Sequence, residues 1–200
     1  MPEHVEVVDG VRVVGAAAED QAVGLGILVR LFTGHDADAL RNGAEIEFGW
    51  GPLRAEPRGD GSVVVMAPDY ARDPSDWSAD LTVPAMIVAE QSRVQLRTGT
   101  DRYSSRFDGK VVIAEGALEA PAVYLQRIEP RPNDTGWFVG YSSGGDNSRL
   151  VAVRPLDILR ARPALVPFLG LPAGSLVVLD GDTVRAVLDA DNQDIWKEDV

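Results

Sequence analysis

Asn133-Asp134-Thr135-Gly136-Trp137-Phe138-Val139-Gly140-Tyr141-Ser142-Ser143-Gly144-Gly145 is the stretch around which the rest of the chain can be ordered. A polar turn at Asn133, Asp134 and Gly136 leads into a short aromatic strand and then a second glycine turn, the chemistry of a β-hairpin arm. No metal ligand set or phosphate cradle is visible in it. Upstream, apolar runs predict strands over 110–114 and 120–128, with a turn over 129–135 feeding the focal strand 136–141. Downstream, a glycine-rich loop over 142–148 precedes a strand over 149–154. A helix then starts at Pro155, a favourable first-turn position, and a short helical turn follows over 163–169. Leu171-Pro172-Ala173-Gly174 breaks it. Segments 175–179 and 183–188 flank Asp180-Gly181-Asp182 as a closing hairpin, before an acidic tail anchored by Ile195 and Trp196.

The first part of the chain gives equally local signals. Alternation around Asp9-Gly10 predicts a hairpin of 5–8 with 11–14. Alanines and leucines over 16–32 favour a helix, which Gly24 and Gly26 weaken by roughly 1 kcal/mol each, so these glycines are expected to mark close packing. A short helix over 36–41 is ended by Gly43. Ile46, Phe48 and Trp50 alternate with Glu45, Glu47 and Gly49, which predicts a strand over 44–50. With 52–57 and 62–67 it makes a three-stranded antiparallel meander whose turn is Arg58-Gly59-Asp60-Gly61. A helix over 81–96 admits Pro84 in its first turn and directs Val83, Ile87, Val88, Val94 and Leu96 to the core, with Gln91 and Arg97 on polar positions. Periodicity lapses over 99–109, which divides the chain into an N-terminal α+β half, 1–107, and a C-terminal α+β half, 108–200. The expected class is α+β, mostly antiparallel sheets with a few helices on one face.

Composition narrows the function. The chain has 200 residues, no cysteine and a formal net charge of −12. Thiolate catalysis, disulfides and cysteine zinc sites are thereby excluded. An acidic surface does not release counterions from phosphates, so nucleic acid is not an expected partner, whereas a basic protein is. The start, Met1-Pro2-Glu3-His4, lacks a basic, apolar leader, and no segment reaches the ~20 apolar residues of a membrane span. A cytoplasmic protein that does not engage membranes is the expectation.

Few residues look catalytic. The two histidines, His4 and His35, have no motif partner, and no nucleophile elbow is expected to complete a triad. Nucleotide-binding glycine motifs are missing. Asp189-Ala190-Asp191 begins like a calcium loop, but Asp194 stands where the turn requires glycine. Arg58-Gly59-Asp60 is explained as a turn. The acidic loop over 69–80 brings Asp69, Asp73, Asp76 and Asp80 into one segment. These could ligate a cation or serve a hydrolase or small-ligand site in a cleft between the halves; equally, Asp76 or Asp80 could cap the following helix.

At the focal stretch the chain resembles the bacterial immunity protein thirty-three-like domain family, which is found in polymorphic toxin neighbourhoods. The pattern is Tyr124-Leu125-Gln126-Arg127, a proline-containing turn, Asp134-Thr135-Gly136-Trp137-Phe138, then Gly144-Gly145-Asp146. It continues with Leu156, Ile158 and Leu159, Pro167-Phe168-Leu169 and Pro172-Ala173-Gly174-Ser175, and covers residues 111–188. Thr135 stands where members usually carry serine, and Asp146 is displaced from their glutamate. The resemblance implies a non-catalytic module that neutralises a toxin by direct binding, with no cofactor or metal and no catalytic residue. The face expected to meet such a partner presents Asp134, Trp137, Tyr141 and Asp146, with Trp137 either anchoring the partner or filling the core.

Overall fold

The computed structural model describes residues 1–197, which form two compact units, Met1–Glu90 and a second that begins at Gln91. In the first, β1 (Glu3–Val8) and β2 (Val11–Ala16) pair antiparallel through Asp9 (φ 46°) and Gly10 (φ 79°), the two left-handed residues that a two-residue hairpin demands. Because β2 runs through Ala16, the helix expected from there starts later, as α1 (Ala22–Arg30) between 3-10 turns at Glu19–Gln21 and Leu31–Gly34. Gly24 does mark a close approach: a Cβ there would lie 1.9 Å from the Ala85 carbonyl oxygen. Asp36 then caps α2 (Ala37–Arg41), accepting from the Ala39 N–H at 2.7 Å.

The meander follows as β3 (Glu45–Glu47), β4 (Pro52–Pro57) and β5 (Val63–Pro68). The first strand is shorter than its alternation predicts. Gly49 adopts φ 95° and the Phe48 N–H bonds the Gly51 carbonyl at 3.0 Å, so the chain turns there while still burying Phe48 and Trp50. With β6 (Trp77–Ser78) on β5, the sheet runs β1-β2-β5-β4-β3, and β2 with β5 is its parallel pair.

Helix α3 (Thr82–Thr98) carries the chain across the division between units. Its buried stripe is Ile87, Val88, Gln91, Val94 and Thr98. Two expectations are corrected here: Leu96 is 70% exposed and Gln91 only 3%. Helical geometry fixes the stripe by spacing of three and four, and Gln91 lies on that line while Leu96 lies off it.

The second unit contains β7 (Lys110–Ala114), β8 (Ala122–Arg127), β9 (Asp134–Tyr141), β10 (Leu150–Val153), α4 (Pro155–Ala161), a 3-10 segment Pro163–Gly170, β11 (Leu176–Asp180) and β12 (Thr183–Leu188). These elements fall close to the expected positions. The sheet order is β10-β7-β9-β8-β11-β12, with β7 and β9 parallel and the other neighbours antiparallel. Both sheets are therefore mixed, each with one parallel pair, within the expected α+β class. No helix among the described residues is long and apolar enough to cross a membrane.

Candidate partner-binding face

Two faces of the second sheet differ in kind. One phase of side chains, including Val111, Ile113, Trp137, Val139, Leu125, Val177 and Val187, is buried together with Leu156, Ile158, Leu165 and Leu169. Trp137 fixes which side this is, because its Nε1 donates to the Leu169 carbonyl at 3.1 Å. The other phase forms one register row, Ala152, Val112, Phe138, Gln126, Leu176 and Leu188, that crosses all six strands. Ala152 and Gln126 are exposed and the remaining four are half-buried, so an apolar stripe meets solvent. Tyr124 stands against Phe138 with ring centroids 5.6 Å apart. Beside them a depression of about 230 Å³ is lined by Val112, Gln126, Ile128, Asp134 and Phe138.

The four residues expected at a partner face are not in one place. Trp137 is 1% exposed and belongs to the core, since it occupies the phase that turns toward the 3-10 segment. Asp134 and Tyr141 stand at opposite ends of an eight-residue strand, roughly 23 Å apart at 3.3 Å per residue. Asp134 holds Lys110 at 2.7 Å and accepts from the Gly136 N–H at 3.0 Å. Tyr141 donates its hydroxyl to the Glu115 carbonyl at 2.7 Å. Asn147 grips the same residue from the loop, accepting from the Tyr141 N–H at 2.8 Å and donating to its carbonyl at 3.1 Å. Asp146 is exposed and accepts from the Ser148 N–H at 2.8 Å, and its bonds to Ser148, the side chain's first, hold it below the usual aspartate range.

Sequence reasoning missed Arg127, which is 2% exposed. Its Nε donates to the Thr135 carbonyl at 3.1 Å, one terminal nitrogen to Ser104 at 2.7 Å and the other to the Leu171 carbonyl. The guanidinium also lies 5.6 Å from the Trp137 ring centroid. Burial pushes it down to about 10, so it remains charged at neutral pH. The signal was its phase: Val123, Leu125 and Arg127 alternate on the core side of β8.

Other candidates resolve into turn chemistry. Asp69 accepts from the Arg72 N–H at 3.1 Å, Asp73 from the Ser75 N–H at 2.9 Å, and Asp80 from the Thr82 N–H and hydroxyl at 2.9 and 2.6 Å, at the start of α3. A polar cavity of about 170 Å³ borders Asp69 and Asp80. Among the described residues no group of three or more His, Asp or Glu is placed to hold a metal ion. The expectation that there is no nucleophile elbow needs a correction of spelling, because Gly140-Tyr141-Ser142-Ser143-Gly144 reads Gly-x-Ser-x-Gly. It runs from the end of β9 into a loop, not through a sharp turn into a helix, and both histidines belong to the other unit.

The electrostatics of Asp134 give a testable pH dependence. Its hydrogen bond with Lys110, opposed by some burial and reinforced by the Gly136 N–H, lowers its pKa in the folded chain. A carboxyl lowered on folding stabilises above its unfolded value and loses that contribution as pH falls through the folded one. The urea midpoint of the native chain should therefore exceed that of Asp134→Asn at pH 6, and the gap should close below about pH 4. An equal gap at pH 6 and pH 3 would refute this assignment.

A family model described as the Imm33-like domain matches residues 90–198, more than half of the chain. No curated protein and no solved structure matches it.

Proposed function

We propose, from the premise that this chain belongs to the Imm33-like domain family, that it is a non-catalytic binding module that neutralises a toxin protein by direct contact. The second unit, which contains nearly all of the family match, supplies the contact face. The observation that carries this reading is the uncovered apolar row of its sheet, with the depression at Ile128, Phe138 and Asp134 sized for one apolar side chain of a partner. Buried apolar anchors in such pockets supply most of the affinity of an interface.

Charge selects the kind of partner. A chain of net charge −12 attracts a basic toxin and accelerates encounter. Asp134 at one end of β9 and Asp146 beyond the other lie at the margins of the row, and Tyr141 supports the loop that presents Asp146. Trp137 serves from within by fixing β9.

The test uses purified toxin domains encoded beside the gene. Wild type should bind one of them, more weakly in 0.5 M salt, and protect cells from it. Ile128→Lys, a substitution at a side chain that is mostly exposed, should weaken binding about tenfold or more, equivalent to about 1.4 kcal/mol. Val23→Lys, on the exposed surface of the other unit, should change it by less than twofold. A wild-type chain that binds none of these domains and protects no cell sinks the reading.

A further inference from the structure

Sheet edges invite strands, and proteins usually blunt them. Among the described residues, three of the four strands that end the two sheet orders are blunted. On β1, Glu3, His4 and Glu6 place polar and charged groups along the strand, and β3 is three residues long with Glu45 and Glu47. Over β12 the following chain folds back, with Ile195 N–H bonded to the Val187 carbonyl at 2.8 Å and Asp194 bridged to Leu188. The fourth edge, β10, is Leu150-Val151-Ala152-Val153, without charge or proline, and Leu150 and Val151 are 54% and 42% exposed.

Its hydrogen-bonding phase can be read from its partner strand. The Glu115 N–H bonds the Arg149 carbonyl at 2.9 Å, and the antiparallel register pairs Val151 with Ile113 and Val153 with Val111. In an antiparallel ladder the alternate residues turn their backbone groups the other way. The N–H and C=O groups of Leu150 and Ala152 therefore point outward from the sheet. Ala152 is also the end of the exposed apolar row, so edge and face are continuous.

We propose that β10 is a strand-addition site: an extended apolar segment of the toxin pairs with Leu150–Val153 and sets a carboxylate against Arg149. This rests on the toxin-binding reading above. Arg149 is 78% exposed and meets the solvated Glu115, itself 61% exposed, at the long distance of 3.7 Å, whereas Arg154 is held by Asp157 through 3.1 and 2.8 Å contacts. A second copy of this chain is the poorer occupant. Pairing β10 with its own copy joins two chains of net charge −12.

The test takes a neighbouring-gene toxin domain that binds wild type and measures its affinity by calorimetry. Ala152→Pro removes the outward N–H and leaves the bonds to β7, so binding should fall tenfold or more, while Ala152→Gly should stay within about threefold. Independently of any variant, the Leu150 and Ala152 amides of the wild-type chain should exchange at least tenfold more slowly in the complex. Unchanged affinity in Ala152→Pro together with unchanged exchange overturns strand addition while leaving toxin binding intact. A toxin-free wild-type dimer that Leu150→Lys dissociates also overturns it, in favour of a second copy. A wild-type chain that binds no toxin overturns the underlying reading and this proposal with it.

Discussion

Replacing Arg127 with methionine is expected to cost the fold about 3 kcal/mol or more. The reason is the asymmetry of buried polar groups. Arg127 satisfies carbonyls of Ser104, Thr135 and Leu171, which belong to three separate segments, and the substitution leaves all three without it. The Thr135 and Leu171 carbonyls are buried and the Ser104 contact part-buried; each buried acceptor abandoned costs about 1 to 3 kcal/mol, and a domain of this size holds only about 5 to 15 in total. Methionine matches the length of the aliphatic stem, so packing changes little and the loss reports on hydrogen bonding. Lysine should recover less than half, because one ammonium cannot serve three diverging carbonyls as a planar guanidinium does. Urea denaturation followed by tryptophan fluorescence measures both variants, and a loss under about 1 kcal/mol for Arg127→Met would show that the guanidinium is dispensable.

Gly136→Ala should be nearly as damaging, for a reason of backbone geometry. Gly136 holds φ 76°, and a Cβ there would stand 2.2 Å from the Ile128 carbonyl oxygen. That oxygen is main chain and cannot rotate away, and the Ile128 N–H bonds the Gly136 carbonyl at 2.9 Å, so relief requires separating β8 from β9 at this point. Left-handed strain alone accounts for about 1 to 3 kcal/mol, and the clash adds to it. Gly144 provides the control. It has φ 72° but open space around it, so Gly144→Ala carries strain without collision and should cost about 1 kcal/mol. Equal losses at the two positions, measured by thermal unfolding, would show that the collision with Ile128 does not matter.

These two residues explain what the family resemblance is made of. Arg127, Gly136 and Trp137 lie in the matched pattern, yet all three are buried: Gly136 seats β9 against Ile128, and Arg127 and Trp137 join β8 and β9 to the Leu169–Leu171 segment. Gly174 and Ser175, also in the pattern, bond the backbone of Arg127. The pattern thus describes the inner frame of the unit. The surface proposed to meet a partner is displayed by that frame and is only partly spelled out by it.

Local chemistry in the chain determined most element positions. Asp9-Gly10 specified a hairpin, Asp36 a helix start, Pro155 another, and alternating apolar residues the strands of both sheets, because each depends on residues within a few positions of one another. What sequence could not determine was which phase of a strand faces inward when both phases are apolar. In Trp137-Phe138-Val139 either Trp137 or Phe138 could be the buried ring, and only the Pro163–Gly170 segment, brought against one face of the sheet, decided it. The same non-local choice put Arg127 inside and left the row from Ala152 to Leu188 uncovered, and the strand order made β10 an edge. Periodicity is a property of one segment, whereas inside and outside are relations between segments, and the tertiary structure alone supplies them.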